Sequence, residues 1–389
     1  MYSYLDSLEC TLCNHTYPHT GVIRTCPQCQ GVLFARYDLP RLKRQVDRDR
    51  LQVRPDNMWR FSELLPVLDP VNVVSLGEGG TPLLEAHNLG KALGLKRLFI
   101  KDEGLNPTGT FKARGLSAAI SKAGELGLRK FSVPSAGNAA GAAAAYAARG
   151  GMEAQVFMPR DAPATNKIEA EVMGSHLVLV DGLIGDAGRL SNQAAKAEGL
   201  FDLSTLQEPY RAEGKKTMGL ELALQLGWRM PDTIVYPTGG GTGIIGMWKG
   251  FYELLELGWV EGRLPRFLAV QPEGCQPIVK AFHDGAERSE SWPDPSTIAG
   301  GLRVPHPFAD YLILSAIRDT GGTAVAVSDE EMMVSIREMA SLEGVFPCPE
   351  GASTLAGLKR LLEKEEIDRD GTIVLLNTGS GYKNLDLLK

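Results

Sequence analysis

From about residue 97 onward, eight short runs rich in β-branched and aromatic residues (97–101, 130–134, 154–159, 176–180, 233–237, 266–271, 323–327 and 372–376) alternate with Ala-, Leu- and Glu-rich stretches of helical character. Near-continuous apolar runs joined by helices describe parallel strands covered on both faces. The chain is therefore expected to be an α/β protein with mostly parallel sheets. At 389 residues it holds one large or two medium domains, because single cores stop growing near ~250–300 residues. In such sheets ligands gather beyond the carboxyl ends of the strands, on loops that enter helices. The 44 glycines exceed the usual ~7 %, and their clusters fall at those strand-to-helix junctions.

The net charge of −6 argues against nucleic acid as the main partner. No run reaches the ~20 apolar residues of a membrane helix; the Ala-rich stretch 139–148 comes nearest and is short. The start of the chain lacks a cationic segment followed by an apolar one, so a cytoplasmic location away from membranes is expected.

Four of the six cysteines lie within the first thirty residues, as the pairs Cys10/Cys13 and Cys26/Cys29. Two thiolate pairs on tight turns supply a tetrahedral set of soft ligands, which suits a structural Zn²⁺ with no open position. Iron in the same sulfur cage remains open. Gly31 follows the second pair, where a left-handed residue would help to close the turn. His15 and His19 are read as surface residues. The charged stretch 41–50 reads as a linker or solvated helix, its acids breaking up the basic run.

Four constellations bear chemistry. After the run 233–237 come Thr238, Gly239, Gly240, Gly241, Thr242 and Gly243, then a helical stretch. Consecutive glycines at a helix start let backbone amides converge on an anion, although a tight packing turn has the same composition. Lys112 follows Thr108, Gly109, Thr110 and Phe111 at the opening of a helix. Lysine forms Schiff bases with carbonyl cofactors when its pKa is depressed; an exposed helix lysine is the plain alternative. Ser135, Ala136, Gly137 and Asn138 follow a strand and precede an Ala-rich helix. They could hold a carboxylate or form an ordinary N-cap. Thr378, Gly379, Ser380 and Gly381 end the last strand with a hydroxyl beside flexible backbone.

In order and content these four segments resemble the fold-type II pyridoxal-phosphate enzymes, the tryptophan-synthase-β-like group. Glu78-to-Leu83 and the stretch 210–216 also resemble family segments, so the likeness spans roughly residues 75–382. The resemblance implies two three-layer αβα domains with mostly parallel sheets, beside the small zinc ribbon. The expected division is a ribbon over 1–45, a large cofactor-binding domain over 46–110 and 205–389, and a small domain over 111–204. It implies pyridoxal 5′-phosphate carried on Lys112, its phosphate on Gly239–Gly243 (Gly239, Gly240, Gly241, Thr242, Gly243), Asn138 on its phenolate oxygen and Thr378 at its ring nitrogen. A neutral hydroxyl there would leave the nitrogen largely unprotonated and favour chemistry at the β and γ carbons.

The members it most resembles convert O-phospho-L-homoserine and water to L-threonine and phosphate. The implied substrate site is Ser135, Ala136 and Gly137 for the carboxylate. Lys101, Arg160 and, less specifically, Lys167 are candidates for the leaving phosphate, with Thr110 and Ser135 as hydroxyl donors, and a homodimer is implied. The alternative is a β-elimination or β-replacement enzyme, such as a threonine or serine dehydratase or an O-phosphoserine-using synthase. Three departures bear on that choice: Ala113 replaces an Asp of the lysine motif, Ala136 replaces a hydroxyl residue, and Cys348 and Glu350 stand in a segment that usually reads Glu-Pro-Ala-Ser.

Overall fold

A computed structural model describes residues 1–388. In chain order its strands are β1 Leu5–Cys10, β2 Thr16–Pro18, β3 Leu33–Tyr37, β4 Leu83–Glu85, β5 Arg97–Asp102, β6 Lys130–Pro134, β7 Glu153–Pro159, β8 His176–Val180, β9 Phe201–Asp202, β10 Thr233–Pro237, β11 Arg266–Pro272, β12 Thr323–Val327 and β13 Thr372–Asn377. The eight runs expected from the sequence are all strands, with ends moved by a residue at most. The chain divides into two compact units, Met1–Gly80 with Lys112–Thr217, and Thr81–Phe111 with Met218–Lys389. The sequence reading grouped residues 46–110 with the large domain. By contacts, the part up to Gly80 groups instead with the unit that holds Lys112.

In the first unit β1 pairs antiparallel with β2 and β3, and β8-β7-β6-β9 form a four-stranded parallel sheet. The charged stretch after the cysteines folds as a helix over Leu39–Gln45. Asp38 caps it, and it buries Leu39 and Leu42. Two helices matter for the site: α1 Lys112–Glu125 and α2 Asn138–Arg149. Gly115 and Gly214 let α1 approach the first turns of α3, Arg211–Gln225. A Cβ on Gly214 would lie 2.0 Å from the Arg114 carbonyl oxygen.

In the second unit the sheet order is β12-β11-β10-β13-β5-β4, parallel apart from the antiparallel edge strand β4. The long helices α4 Thr242–Leu257 and α5 Pro349–Glu363 belong here. Burial of Val235, Leu268, Val270, Leu355, Leu358 and Leu375 in one cluster explains why these strands read as unbroken apolar runs. The sheet thus delivers residues 238–241 and Thr378 side by side from adjacent strands, at the carboxyl ends where ligands collect. No described helix is long and apolar enough to cross a membrane.

Candidate active site and metal centre

In the second unit the all-buried strand β10 ends at Pro237, and α4 begins at Thr242. Gly241 precedes the helix with φ of +77°, and no side chain caps it. Close packing explains the neighbouring glycines. A Cβ on Gly239 would lie 2.5 Å from the Gly301 carbonyl oxygen, and one on Gly243 would lie 2.0 Å from the Tyr236 hydroxyl oxygen. The amides of Gly239, Gly240, Gly241 and Thr242 have no intramolecular partner among the described residues. Unpaired amides at the start of a sixteen-residue helix are an anion site.

Thr378, 4 % exposed, lies next to this loop. Its carbonyl accepts the Phe111 amide at 3.0 Å, and Thr110 bridges to Gly379. The Phe111 ring meets the Tyr236 ring edge-on, centroids 6.4 Å apart. Thr110, Thr378 and the glycine loop are therefore joined through a few direct contacts. Lys112 is the next residue of the chain and opens α1.

Lys101 does not belong to this group. It is fully buried, and its ammonium donates to the Thr81 carbonyl (2.7 Å), Glu221 (2.8 Å) and Gln225 (3.0 Å). An ammonium has three protons to give, so Lys101 is a structural cation rather than a ligand for a leaving phosphate.

In the first unit Ser135 accepts the amides of Gly137 and Ala140, each at 3.2 Å, and so organises the turn into α2. Asn138 is the first residue of that helix. Asn166, which belongs to none of the motifs above, donates to the Ala136 carbonyl at 3.1 Å and fixes the turn. Arg160 is exposed and bonded to Asp181 at 2.6 Å, an ion pair that must open before the guanidinium takes another anion. Lys167 donates to the Arg160 carbonyl.

The four cysteine sulfurs lie within 4.8 Å of one another. Cys10 and Cys29 are 3.4 Å apart, and Cys13 and Cys26 are 3.6 Å apart. Zinc–sulfur bonds of ~2.3 Å require tetrahedral S···S separations of about this size. His15 and His19 are outside the cluster. The left-handed residues that close the two turns are Asn14 (φ 57°) and Gln30 (φ 61°). Gly31 serves a different need from the one expected, since a Cβ there would sit 2.9 Å from the Cys10 sulfur.

Residues 74–379 match the pyridoxal-phosphate dependent enzyme family. The chain belongs to that family. Within it, the chain is 40 % identical to the threonine synthase of Methanocaldococcus jannaschii over 379 residues, 97 % of this chain and 93 % of the relative. It is 38 % identical to that of Methanosarcina acetivorans, covering 97 % and 92 %. In fold it is similar to maize serine racemase (TM-score 0.68, 24 % identity, 79 % of this chain and 93 % of that one) and to a Rhizomucor miehei L-serine ammonia-lyase (TM-score 0.67, 24 %, 79 % and 96 %). The α/β architecture with mixed and parallel sheets is thus that of the fold-type II members of the family.

Proposed function

We propose that the chain is a threonine synthase, converting O-phospho-L-homoserine and water to L-threonine and phosphate with pyridoxal 5′-phosphate as cofactor. The observation that carries this reading is likeness to threonine synthases over nearly the whole of both chains. The racemase and ammonia-lyase neighbours agree in fold alone.

The residues fit the cofactor. The unpaired amides of Gly239, Gly240, Gly241 and Thr242 suit its phosphate, with the helix dipole adding to the attraction. We assign Lys112 to covalent attachment, Asn138 to the phenolate oxygen and Thr378 to the ring nitrogen. When bound, the cofactor acts as an electron sink for reactions at the carbons of an amino acid. With the cofactor bound, the Lys112 amine would take and return protons at those carbons. The turn from Ser135 to Asn138, held by Ser135 and Asn166, receives the substrate carboxylate. Thr110 and Arg160 are assigned to the departing phosphate, the latter once its pair with Asp181 opens.

The four cysteines hold a structural Zn²⁺. Every position is filled by sulfur, so no water is activated there. The enzyme is further proposed to be a cytoplasmic homodimer. Purified protein given O-phosphohomoserine, O-phosphoserine, serine and threonine in parallel tests the reaction. Release of phosphate with equimolar threonine from the first is expected. Turnover only of the other three would replace this reading with a β-eliminating or β-replacing enzyme.

A further inference from the structure

In the first unit, the two helices that begin at Lys112 and Asn138 end beside one cavity of about 440 Å³, a size within the ~300–1,000 Å³ of small-molecule sites. It is lined by Gly124 in the last turn of α1, by Arg149 and Gly150 at the end of α2, by Arg129 and Met152, and by the segment 71–75. That segment is a fixed wall. The Val74 amide donates to Ser121 and its carbonyl accepts the Ser117 hydroxyl, both on α1 and both at 2.8 Å. The two glycines make room for a side chain. A Cβ on Gly124 would lie 2.7 Å from the Met152 methyl carbon, and one on Gly150 would lie 3.1 Å from the same atom.

The charge of the lining is one-sided, with two guanidiniums and, among the described residues, no carboxylate. Arg149 Nε donates to the Ser75 carbonyl at 3.2 Å, and Arg129 Nη1 donates to the Gly124 and Leu128 carbonyls at 2.8 and 3.1 Å. A guanidinium has five N–H groups to give. These bonds anchor both side chains and leave the two terminal nitrogens of Arg149, and Nε and Nη2 of Arg129, without a partner among the described residues. The neighbouring acids are engaged elsewhere, Glu125 with Lys122 at 2.7 Å and Glu153 with Lys130 at 3.3 Å. Each helix end brings about half a negative charge, so two guanidiniums leave the cavity positive by about one. Val71, Val73 and Met152 supply apolar surface beside that charge. Val71 is 80 % exposed, so the cavity opens to solvent.

We propose that this cavity is a binding site for a small phosphomonoester with an apolar body. The unused N–H groups take the phosphate oxygens, for which the planar fork of arginine is suited, and the body lies on Val73 and Met152. The site goes beyond the functional reading above and does not depend on it. α1 is fourteen residues long, which sets the cavity about 20 Å along that helix from Lys112.

The test is a titration of the holoenzyme, labelled with ¹³C in its methionine methyl groups, with phenyl phosphate. The Met152 signal is identified by its loss in M152L. Phenyl phosphate is expected to shift that signal saturably in the native chain. R129Q and R149Q each keep a donor for the anchoring carbonyl, and each is expected to weaken the affinity about tenfold or more, as loss of a hydrogen bond to a charged group requires. The variant carrying both is expected to show no shift. Phenol, which has the body without the charge, is expected to leave the signal in place. The remaining methionine signals show whether each variant is folded, and the single variants carry the test if the double one is not. A native Met152 signal that phenyl phosphate does not move, equal affinity in the native chain and both single variants, or an equal shift with phenol would overturn the proposal and leave the functional reading untouched.

Discussion

Glu78 offers the sharpest energetic test of how the first unit is held. Its carboxylate is fully buried and accepts four donors: the indole of Trp59 (2.9 Å), the hydroxyls of Ser117 (2.5 Å) and Tyr146 (2.6 Å), and the Leu76 amide (2.9 Å). Burial and the carboxylate itself push the Tyr146 phenol far above its ordinary range, so it remains a donor. Gly80 is locked as well, since a Cβ there would lie 2.3 Å from the Asp56 carbonyl oxygen. In Glu78→Ala two donors keep partners, Trp59 on Ser117 (3.2 Å) and Ser117 on the Val74 carbonyl (2.8 Å). Tyr146 and Leu76 do not. Leu76 is exposed, so its amide can turn to water, and Tyr146 is the one buried donor left unsatisfied; at about 1–3 kcal/mol for such a donor the expected loss is about 2 kcal/mol. Tyr146→Phe removes one donor and its need together, and should cost about 1 kcal/mol. Urea unfolding followed by tryptophan fluorescence measures both. A loss below about 1 kcal/mol for Glu78→Ala, or equal losses for the two variants, would refute the assignment of these bonds.

Other consequences follow from single contacts. Burial pushes the carboxyl of Glu208 up to about 7, against the Arg211 guanidinium and the amides of Tyr210 and Arg211, which pull it down. A carboxyl that holds its proton more tightly when folded loses stability as pH rises from its ordinary 4.5 to about 7. Glu208→Gln should therefore abolish a fall of about 3 kcal/mol across that window; parallel pH–stability curves for native and variant would contradict it. Gly239→Ala drives a methyl into the Gly301 carbonyl. Overpacking of about 1–3 kcal/mol, if it falls on the bound form, should weaken cofactor binding about 5- to 150-fold, read by visible titration of the apoenzyme; unchanged affinity would show that the loop yields. Removing metal from the cysteine cluster should lower the melting temperature by a few degrees. The ribbon is tied to its unit by Tyr37 donating to buried Glu213 (2.8 Å) and by Arg24 with Asp202 (2.6 Å), and a bond to a charged group is worth about 1.5–3 kcal/mol. The visible band of bound cofactor should survive at room temperature, and an unchanged melting temperature would show that the metal supports nothing beyond its own turns.

Much of the fold was legible because the core strands are buried on both faces and therefore read as continuous apolar runs. Five strands were not read from the sequence: β1, β2 and β3 around the cysteines, half-exposed in part, and β4 and β9, three and two residues long and too short to carry a pattern. The cysteine cluster and the glycine loop could be read because spacing along the chain nearly determines their local geometry. Lys101 could not. Its acceptors Glu221 and Gln225 lie more than a hundred residues away, and a lysine at the end of a strand looks the same whether it faces a ligand or an internal carboxylate. Asn166 was missed for a similar reason, since its bond to Ala136 joins residues thirty apart. Gly31 was noticed for the wrong cause: its bareness makes room for a sulfur, while Gln30 supplies the turn.

The central claim is that one lysine carries the cofactor covalently. Borohydride reduction of the holoenzyme, followed by digestion and mass spectrometry, tests this most directly. The account predicts the reduced cofactor on the peptide containing Lys112, with none on the Lys112→Ala variant; an adduct on another lysine, or a native chain that gains none when supplied with pyridoxal 5′-phosphate, would contradict it.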